Sequence, residues 1–450
     1  IVALTGEVMQ RNNQLQIEAR SMAVMDPGDA GEVRGRIDAA LEKRAEPPDL
    51  PFLIESEVLD ALRPRMRQVA KEIRKAVLTA RPIILRHHAD ADGICAAVAI
   101  EQAVTALLRE SAGDFDAEYF LFKRSPSKAP FYEVEDITRD LDFALKDNVR
   151  YGQKMPLILL MDNGSTEEDM PSLKLTRIYG LPVMVVDHHH PDKVVDDYLI
   201  GHVNPYLAGG DYGITAGMLG TEIARMVNPA IEDQIRHLPA IAGVGDRSEA
   251  PERARYLAVA APGYSEDDCR DIALALDYEQ FWLRFGDGRE LVKDILNLSG
   301  KPERHEQFVD LLVEEANHAI EEQLSAIMPH VESRVLQNGA HLFMLDVEIF
   351  AHRFTFPPPG KTSGEVHDRL VKAHPGEPVV TIGFGPDFAV LRSRGVMMNI
   401  PRMVRELHSE ISGGGVSGGG HLVVGSIKFV EGMRDVVLDS LIQKIGEAPI

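Results

Sequence analysis

Short runs of β-branched residues and leucine alternate with helical patterns through the first half of the chain. Apolar runs of this length are typical of buried parallel strands. Strands are predicted to begin at Ile83 and to span 117–122, 156–162 and 182–187, with helices at 93–109, 133–147, 213–227 and 230–243. This alternation predicts an α/β fold, a doubly wound and mostly parallel sheet.

The segments that flank this sheet differ in pattern and divide the chain into five predicted parts. They are a hairpin at 1–25 around an Arg11-Asn12-Asn13 turn, a linker or short helix at 26–55, the sheet domain at 56–265, a helical connector at 266–332 and a smaller α/β domain at 333–450. Strands of the last part are predicted at 341–347, 379–384, 389–393 and 421–429, with helices at 364–373, 400–410 and 432–445. Because the opening residues look like a strand entered partway, we expect the numbered chain to begin inside a domain.

Charge and cysteine content narrow the class of protein. The 450 residues carry a formal net charge of −22, which counts against non-specific binding of duplex nucleic acid over a broad surface but leaves room for a local basic groove. Two cysteines, Cys95 and Cys269, provide no disulfide framework and no zinc-finger spacing. With no export signal and no apolar run near the roughly 18–20 residues of a membrane span, we expect a cytoplasmic protein without a membrane partner.

Acidic and imidazole side chains follow three of the predicted strands. The carboxyl ends of parallel strands line one crevice of an open sheet, so these groups are expected to converge. A single aspartate at such a place is more often a helix cap or a turn residue, but many carboxylates share a crevice near neutral pH only with cations between them. These side chains are His88, Asp90 and Asp92 in the first segment, Asp162 in the second, and Asp187, His188 and His189 in the third.

This convergence predicts a pair of metal ions. Imidazole mixed with carboxylate suits Mn²⁺, and Zn²⁺ or Fe²⁺ less well, whereas an all-oxygen set would suit Mg²⁺. Two ions about 4 Å apart are the usual arrangement for attack of water on a phosphoester. Asp246, in Gly245-Asp246-Arg247, offers a further carboxylate but is a weak signal by itself. The chain has no nucleotide-binding fingerprint or cysteine cluster that would point to redox chemistry.

A glycine-rich segment near the C-terminus offers a second type of site. Residues 412–420 carry six glycines and are followed by His421. Successive glycines expose backbone N–H groups that can hold a phosphate, and an arginine such as Arg392 can bind one through two hydrogen bonds. Without other evidence a flexible loop is the more common role of such a segment, although His421 and the predicted strand after it favour a function.

Together these motifs resemble those of the DHH phosphoesterase superfamily, in the subgroup that carries an appended DHHA1 domain and includes archaeal RecJ-like single-strand-specific exonucleases. The first hairpin is similar to the end of an OB-fold that precedes the catalytic core in some archaeal members. The DHH motifs correspond, in order, to His88-Ala89-Asp90-Ala91-Asp92-Gly93, Asp162-Asn163-Gly164, Asp187-His188-His189 and Gly245-Asp246-Arg247. The DHHA1 motifs correspond to Arg392-Ser393 and Gly418-Gly419-Gly420-His421.

The resemblance implies two divalent metal ions, Mn²⁺ in the first place with Mg²⁺ or Co²⁺ as alternatives. Asp162 would bridge the two ions. The remaining ligands would be His88 and Asp90 for one ion, and Asp92, His188 and Asp246 for the other.

The resemblance also implies roles in catalysis and in substrate binding. Asp187 would orient the neighbouring site, and His189 would touch the scissile phosphate; both are predicted as catalytic. Substrate binding would involve His189, Arg392, Ser393, Arg394, Gly419, Gly420 and His421.

The activity that the resemblance implies is hydrolysis of single-stranded DNA or RNA from an end, with release of mononucleotides, in DNA repair or replication. The strand would pass between the two domains. The basic face of the helix predicted within 56–80, which carries Arg67, Lys71 and Arg74, is offered as its guide, although a solvated face is the more common role of such a charged surface. Relatives also hydrolyse very short oligoribonucleotides or cyclic dinucleotides, and archaeal members can associate with the GINS complex of the replisome, so both alternatives stay open. The sequence indicates neither cleavage polarity nor oligomeric state.

Overall fold

The structure, a computed structural model, describes residues 1–11, 14–112, 117–284 and 286–450. The chain opens with two antiparallel strands, β1 (Val2–Arg11) and β2 (Gln14–Val24). These strands confirm the predicted hairpin, while Asn12 and Asn13 of its predicted turn lie outside the described residues. Its apolar side chains, among them Val8 and Ile17, are exposed to solvent.

A long helix, α1 (Pro27–Ala45), occupies much of the segment predicted as a linker or short helix. Asp26 begins the helix by accepting hydrogen bonds from the backbone N–H groups of Gly28 and Asp29. Pro27 occupies the first turn, where its missing N–H has no partner to lose. The helix is longer than predicted: it has weak hydrophobic periodicity, and Glu42 in its last turn pairs with lysines of its neighbour.

That neighbour is α2 (Glu57–Leu78), and α1 covers the basic face of α2 that was predicted to guide a nucleic acid strand. The Lys71 ammonium lies 3.2 Å from the Glu42 carboxylate and 3.0 Å from that of Glu46. Arg67 and Arg74 donate to backbone carbonyl oxygens between 44 and 48. All three cations are committed to partners within the chain, so the prediction of a nucleic acid guide on this helix was wrong.

A five-stranded parallel sheet forms the next domain, with the strand order β4-β3-β5-β6-β7. Its strands are β3 (Ile83–His88), β4 (Phe122–Ser127), β5 (Leu157–Met161), β6 (Val183–Val186) and β7 (Gly201–Val203). Its helices are α3 (Ala91–Ala112), α4 (Ala117–Leu121), α5 (Val134–Tyr151), α6 (Met170–Ile178), α7 (Ala216–Val227), α8 (Glu232–Ile235), α9 (Leu238–Gly245) and α10 (Pro251–Ala260).

Alternate residues of these strands face two different hydrophobic cores. Leu85 and Leu159 pack among residues of α2, α3, α7 and α9 on one face. Ile158 and Val185 pack among residues of α5 and α6 on the other. The predicted doubly wound parallel sheet is therefore confirmed.

The strand order reverses between β3 and β5, which are neighbours in the sheet. The helix that follows β3 covers one face, whereas the helix that follows β5 covers the opposite face. The two chain segments diverge beyond the carboxyl ends of these strands and leave a crevice between them, which is where ligands bind in open α/β sheets.

The strand predicted at 117–122 is wrong in its position. Residues Ala117–Leu121 form the short helix α4, and β4 begins only at Phe122. The aromatic residues Tyr119 and Phe120 suggested a strand, yet 80% and 52% of their respective surfaces are exposed. Aromatic residues favour strands when they pack on a half-buried pleated surface, and here only Phe122 is buried.

Among the described residues, one helix, Ala91–Ser111 within α3, is long and apolar enough to cross a membrane by length and composition. Its apolar window is 89% buried inside the domain, where α3 packs against α7 and α9. Burial on this scale identifies it as the core helix of the sheet domain.

Three helices connect this domain to a second one, built on a six-stranded mixed sheet with the order β12-β13-β11-β10-β9-β8. The connecting helices are α11 (Glu266–Leu283), α12 (Arg289–Ile295) and α13 (Pro302–Ile327). The strands are β8 (Glu332–Val335), β9 (His341–Asp346), β10 (Val379–Phe384), β11 (Phe388–Arg394), β12 (Ser417–Gly420) and β13 (Val424–Lys428). The helices are α14 (Val347–Phe350), α15 (Pro359–Ala373), α16 (Ile400–Glu410) and α17 (Arg434–Glu447).

The mixed sheet also has a core on each face. Leu342 and Leu391 pack among residues of α16 and α17, whereas Phe343 and Leu345 pack among residues of α13 and α15. Helix α13 therefore belongs to the connector and also packs in the core that contains Phe343 and Leu345. The strand predicted at 421–429 is shorter than expected and begins at Val424.

Candidate metal centre

The crevice at the strand-order switch collects the side chains that sequence analysis placed after the strands. His88 is the last residue of β3, and Asp92 lies in the first turn of α3. Asp162 follows β5 directly, and its backbone N–H donates to the carbonyl of Val186 at the end of β6. Three neighbouring strands therefore deliver these groups to one edge of the sheet.

Asp162 has a left-handed backbone with φ of +57°. Such a conformation costs about 1–3 kcal/mol in a residue other than glycine and persists where the surrounding structure imposes it. Its carboxylate is buried and lies between two groups of nitrogen and oxygen atoms.

The first group contains His88, Asp90 and Asp162. The Nδ1 atom of His88 lies 2.8 Å from Oδ2 of Asp90 and 3.4 Å from Oδ2 of Asp162. At 2.8 Å a hydrogen bond would be expected, but the buried Nδ1 atom has no partner with hydrogen-bond geometry. Metal–ligand bonds of about 2.1 Å at right angles place neighbouring ligand atoms about 3 Å apart, so these distances fit a shared cation.

The second group contains Asp92, Asp162 and His188. Here the Nε2 atom of His188 lies 3.2 Å from Oδ1 of Asp162 and 3.7 Å from Oδ2 of Asp92. The Oδ2 atom of Asp246 lies 3.8 Å from the same nitrogen. Asp162 therefore presents Oδ2 to the first group and Oδ1 to the second, which is the arrangement of a bridging carboxylate.

Contacts behind these side chains orient them. Both carboxylate oxygens of Asp92 accept hydrogen bonds of 2.9 Å from the backbone N–H groups of Ala216 and Gly217, at the N-terminus of α7. The Nδ1 atom of His188 lies 2.6 Å from the carbonyl oxygen of Tyr212 and donates to it, which directs Nε2 towards Asp162. Metal ligands are commonly fixed in this way by outer hydrogen bonds.

Burial and the repulsion between negative charges raise the pKa values of two carboxyl groups of the centre, Asp92 and Asp246. Burial, reinforced by the charge of Asp162, raises the pKa of Asp92 well above its usual value. Burial, with the charges of Asp90 and Asp162, raises the pKa of Asp246 to about 6. Such carboxyl groups retain protons in the absence of cations, and a bound cation would release them.

The imidazoles of the centre respond in the opposite sense to burial. Burial alone would lower the pKa of His88, but the carboxylates of Asp90 and Asp162 raise it well above its usual value. The pKa of His188 is likewise raised, because Asp162, Asp246 and Asp92 outweigh its burial. Both imidazoles therefore carry a proton that divalent cations would replace.

Asp187 and His189 form a pair beside the two groups. Oδ1 of Asp187 accepts hydrogen bonds from the backbone N–H groups of His188 and His189, and lies 2.8 Å from Nδ1 of His189. That nitrogen also lies 3.6 Å from Oδ1 of Asp162. The pair is thus in contact with the centre, and Asp187 fixes the ring of His189.

His421 reaches this pair from the second domain. Its ring stacks on that of His189, with centroids 4.7 Å apart and planes 5° from parallel, and meets the edge of His188 at 4.9 Å. The three preceding glycines belong to β12, which pairs with β13. Part of the glycine-rich segment is therefore an edge strand that delivers His421, and Gly419 passes beside the Glu168 carboxylate.

The three residues predicted around Arg392 have different surroundings. Arg392 packs against Gly364 of α15, and burial together with the charge of Arg247 lowers its pKa to about 10. Ser393 faces the opposite side of the sheet and donates its hydroxyl to the carbonyl of Val396. Arg394 is exposed and donates to the carbonyl of His374. Arg392 interacts electrostatically with the candidate metal centre, because the charge of Asp246 acts on its pKa.

Sequence reasoning missed two contributors to this region. Arg247, which directly follows Asp246, reaches the second domain and lies 2.5 Å from the Asp368 carboxylate on α15. Tyr212 supplies the carbonyl that orients His188, and its ring lies 4.9 Å from that of His421. Arg247 could have been identified because it directly follows Asp246, whereas nothing in the local sequence pattern indicated Tyr212.

A cavity of about 420 Å³ opens between the two domains, next to the stacked histidines. The sheet domain contributes His190 and Asp192 to its wall, and the second domain contributes Arg405, with backbone from Gly418 to Gly420. Arg405 and Asp192 face each other across the domains at 3.8 Å.

We expect Gly217→Ala to disturb the centre through Asp92. An added Cβ would lie 2.4 Å from Cβ of Ala242 and 3.0 Å from Oδ1 of Asp92. Such overpacking costs about 1–3 kcal/mol, and we expect a loss of this size in the free energy of unfolding in urea, together with weaker Mn²⁺ binding by calorimetry.

The matched control is Gly31→Ala in α1, where an added Cβ meets nothing within 4 Å. Removing a glycine from an exposed helix stabilises by up to about 1 kcal/mol. Equal stability and equal Mn²⁺ affinity in Gly217→Ala and the unmodified chain would contradict the assigned packing.

Comparison with known proteins agrees with this geometry. The model of the DHH family, N-terminal domain, matches residues 82–242. The chain is 46% identical to an uncharacterized protein of Methanocaldococcus jannaschii over 99% of its own length, and it spans 62% of the length of that relative. The solved DHH domain of a member of a family of ribosomal proteins is 42% identical, covers 94% of this chain and all of its own, and superposes with a TM-score of 0.90.

More distant structures share the fold. RecJ from Thermus thermophilus in complex with Mn²⁺ is 15% identical, with a TM-score of 0.58 over 91% of this chain and 58% of its own. An exonuclease RecJ bound to manganese is 16% identical, with a TM-score of 0.54 over 89% of this chain and 97% of its own. The chain therefore belongs to the DHH family and has a RecJ-like fold.

Proposed function

We propose that the chain is a metal-dependent phosphodiesterase that removes mononucleotides from an end of single-stranded DNA or RNA. The observation that carries this proposal is the position of Asp162, whose two carboxylate oxygens face two separate groups of metal-ligating atoms. A carboxylate shared in this way suits two-ion hydrolysis of a phosphoester. Membership of the DHH family supports the same reaction class.

The residues of the centre divide into two ligand sets. Imidazole mixed with carboxylate favours Mn²⁺ over Mg²⁺. When bound, such ions lower the pKa of a water molecule and stabilise the charge that develops on the leaving oxygen. We assign one ion to His88, Asp90 and Asp162, and the other to Asp92, Asp162, His188 and Asp246.

His189 is placed to bind the scissile phosphate. Burial alone would lower its pKa, but the adjacent Asp187 raises it, which favours the imidazolium form that can donate to a phosphate oxygen. Because Asp187 engages Nδ1, the Nε2–H group is the one directed to substrate. His421 stacks on one face of the His189 ring and would restrict where the phosphate can lie.

The second domain provides the rest of the substrate contacts. Arg392 has a half-buried guanidinium whose Nε atom has no hydrogen-bond partner, and a phosphate would supply one. The cavity of about 420 Å³ between the domains has the volume of a small-molecule site, which suits a nucleotide or two. We therefore propose that single strands enter between the domains.

A second candidate is hydrolysis of very short oligonucleotides or cyclic dinucleotides. The observation that favours it is the pairing of Arg405 with Asp192, since both residues line the cavity and lie on different domains. With this contact formed, a long strand has less room to continue past the cavity.

A time course with end-labelled substrates tests both candidates. Long single strands of DNA and RNA, the matching duplexes and dinucleotides would each be incubated with Mn²⁺ or with chelator. Release of labelled mononucleotides from long single strands supports the exonuclease, and activity confined to the shortest substrates supports the second candidate. Equal turnover in chelator and Mn²⁺, or no hydrolysis of any substrate, would refute both.

A further inference from the structure

A second group of metal-ligating side chains lies away from the candidate metal centre, on the second domain. We call it the His-Glu cluster; it consists of His341, His374 and Glu377. Oε2 of Glu377 lies 3.1 Å from Nε2 of His341 and 2.9 Å from Nδ1 of His374. The two imidazole centroids are 5.1 Å apart, and the three ligand atoms lie within 4.8 Å of one another.

A tight turn holds two of these residues in position. The segment His374-Pro375-Gly376-Glu377 closes with a hydrogen bond from the Glu377 N–H to the His374 carbonyl, and Gly376 has a φ of +80°. Proline followed by a glycine with positive φ is the signature of a rigid type II turn. Arg394 also donates to the His374 carbonyl, which further fixes this residue.

His341 comes from a different part of the chain, the first residue of β9. Its partner across the sheet is Val379, the first residue of β10, directly after the turn. The ring of His374 also packs against Phe343, at 5.3 Å between centroids. The strand and the turn therefore present their ligand atoms from a fixed framework.

The cluster is distinct from the candidate metal centre. Arg392, the residue of this sheet held in the field of that centre, lies two strands and two residues away in the register. With strands about 4.8 Å apart and a rise of about 3.3 Å per residue, its Cα lies roughly 12 Å from that of His341. No ligand of the first site can serve the second.

We propose that the His-Glu cluster binds one transition-metal ion of the Zn²⁺ class. Two imidazoles and one carboxylate are a common Zn²⁺ ligand set, with water in the fourth position. Tetrahedral bonds of about 2.1 Å separate ligand atoms by about 3.4 Å, within about 0.5 Å of the distances found here. About a third of each imidazole and half of the Glu377 side chain are exposed, so an ion and its water can reach them.

The bound ion would link the start of β9 to the turn between α15 and β10. It would thereby stabilise one end of the mixed sheet, with no part in hydrolysis at the other site. The alternative is that the two imidazoles and the carboxylate only form hydrogen bonds with one another. In that case the cluster would bind no ion, and added Zn²⁺ would not stabilise the sheet.

Equilibrium dialysis with Zn²⁺ tests the proposal on the full chain. The comparison uses the unmodified chain, His341→Ala and the isosteric Glu377→Gln, each also combined with Asp162→Asn so that loss at the cluster is separated from binding at the candidate metal centre. We expect His341→Ala to bind one Zn²⁺ fewer in both backgrounds. Mutation of the partners of metal ligands weakens binding about 10- to 100-fold, so we expect Glu377→Gln, which loses a ligand, to weaken this site at least tenfold.

His318→Ala is the matched control. His318 lies 3.3 Å from Glu322 on the exposed face of α13, so it has the same imidazole–carboxylate contact with a single histidine, and its replacement should leave Zn²⁺ stoichiometry unchanged. Unaltered circular dichroism verifies that the variants fold. If His341→Ala and Glu377→Gln bind as many Zn²⁺ ions as the unmodified chain with equal affinity, the cluster is a hydrogen-bonded group only and the proposal is overturned.

Discussion

Asp162→Asn is expected to lower kcat for Mn²⁺-dependent phosphodiester hydrolysis by about a thousandfold or more. Asp162 is the residue whose two oxygens face both groups of metal-ligating atoms, and an amide offers a single weak oxygen ligand. Metal stabilisation of the transition state is worth several kcal/mol, and about 4 kcal/mol corresponds to a thousandfold. Single-turnover kinetics with saturating substrate would measure the change in the chemical step.

Two further measurements make this result specific. Asp142→Asn removes a carboxylate that pairs with Lys146 on the exposed face of α5, outside both groups, and should leave kcat unchanged. Calorimetric titration with Mn²⁺ should show weaker binding in Asp162→Asn, with unaltered circular dichroism. Turnover of Asp162→Asn within a few-fold of the unmodified chain would remove the two-ion assignment.

The metal-free chain is expected to lose stability as pH rises from about 6.5 to about 8. Burial raises the pKa of Asp92 and raises that of Asp246 to about 6, so the folded chain holds protons that the unfolded chain releases near pH 4. The carboxylates around His88 and His188 raise the pKa of both, so these imidazoles also stay protonated in the folded chain. Stability falls with pH wherever the folded state binds more protons.

The lowered pKa values of Asp90 and Asp187 do not oppose this trend. Their stabilising effect is complete once pH exceeds the unfolded value near 4 and is lost only at lower pH. Burial also lowers the pKa of His87, His237, His367 and His421, but the unfolded chain loses these protons by about pH 6.5, so their opposing effect is confined to lower pH. The shift at Asp246 alone, discounted for partial exposure, corresponds to roughly 2 kcal/mol. Urea denaturation in chelator across this pH range would measure the fall.

Mn²⁺ should reverse the pH dependence, because metal binding displaces these protons and strengthens as pH rises. The difference in free energy of unfolding between the unmodified chain and Asp246→Asn should shift by roughly 2 kcal/mol between about pH 4 and pH 6, because only the unmodified chain loses the Asp246 proton there. A free energy of unfolding that rises between about pH 6.5 and pH 8 in chelator would show that the acidic and imidazole groups are not packed as described.

The parallel sheet and the convergence of its ligands could be predicted from the sequence for one physical reason. Buried parallel strands are continuous apolar runs, and their carboxyl ends meet at one edge, so residues such as Asp162 and His188 could be placed together without any contact being known. The same logic could not predict that Asp162 turns one oxygen to each group, because that depends on a left-handed backbone set by its neighbours.

Other features depended on tertiary contacts that local patterns do not encode. The helix α1 has little hydrophobic periodicity, and it pairs Glu42 and Glu46 with Lys71, a residue that the sequence suggested was free for nucleic acid. The stacking of His421 on His189 joins residues more than two hundred positions apart. Family resemblance indicated that both belong to the site, but neither spacing nor periodicity could.

The stacking of His421 on His189 has a consequence for how the molecule can move. Each domain has its own hydrophobic cores, and the two acidic groups are built wholly from the first domain. A rotation of one domain against the other would therefore separate the two rings while every carboxylate kept its place. Such a rotation would also break the ion pairs that Arg247 and Arg405 make across the domains. On the proposed two-ion mechanism, product could then leave while every carboxylate ligand remains on the first domain.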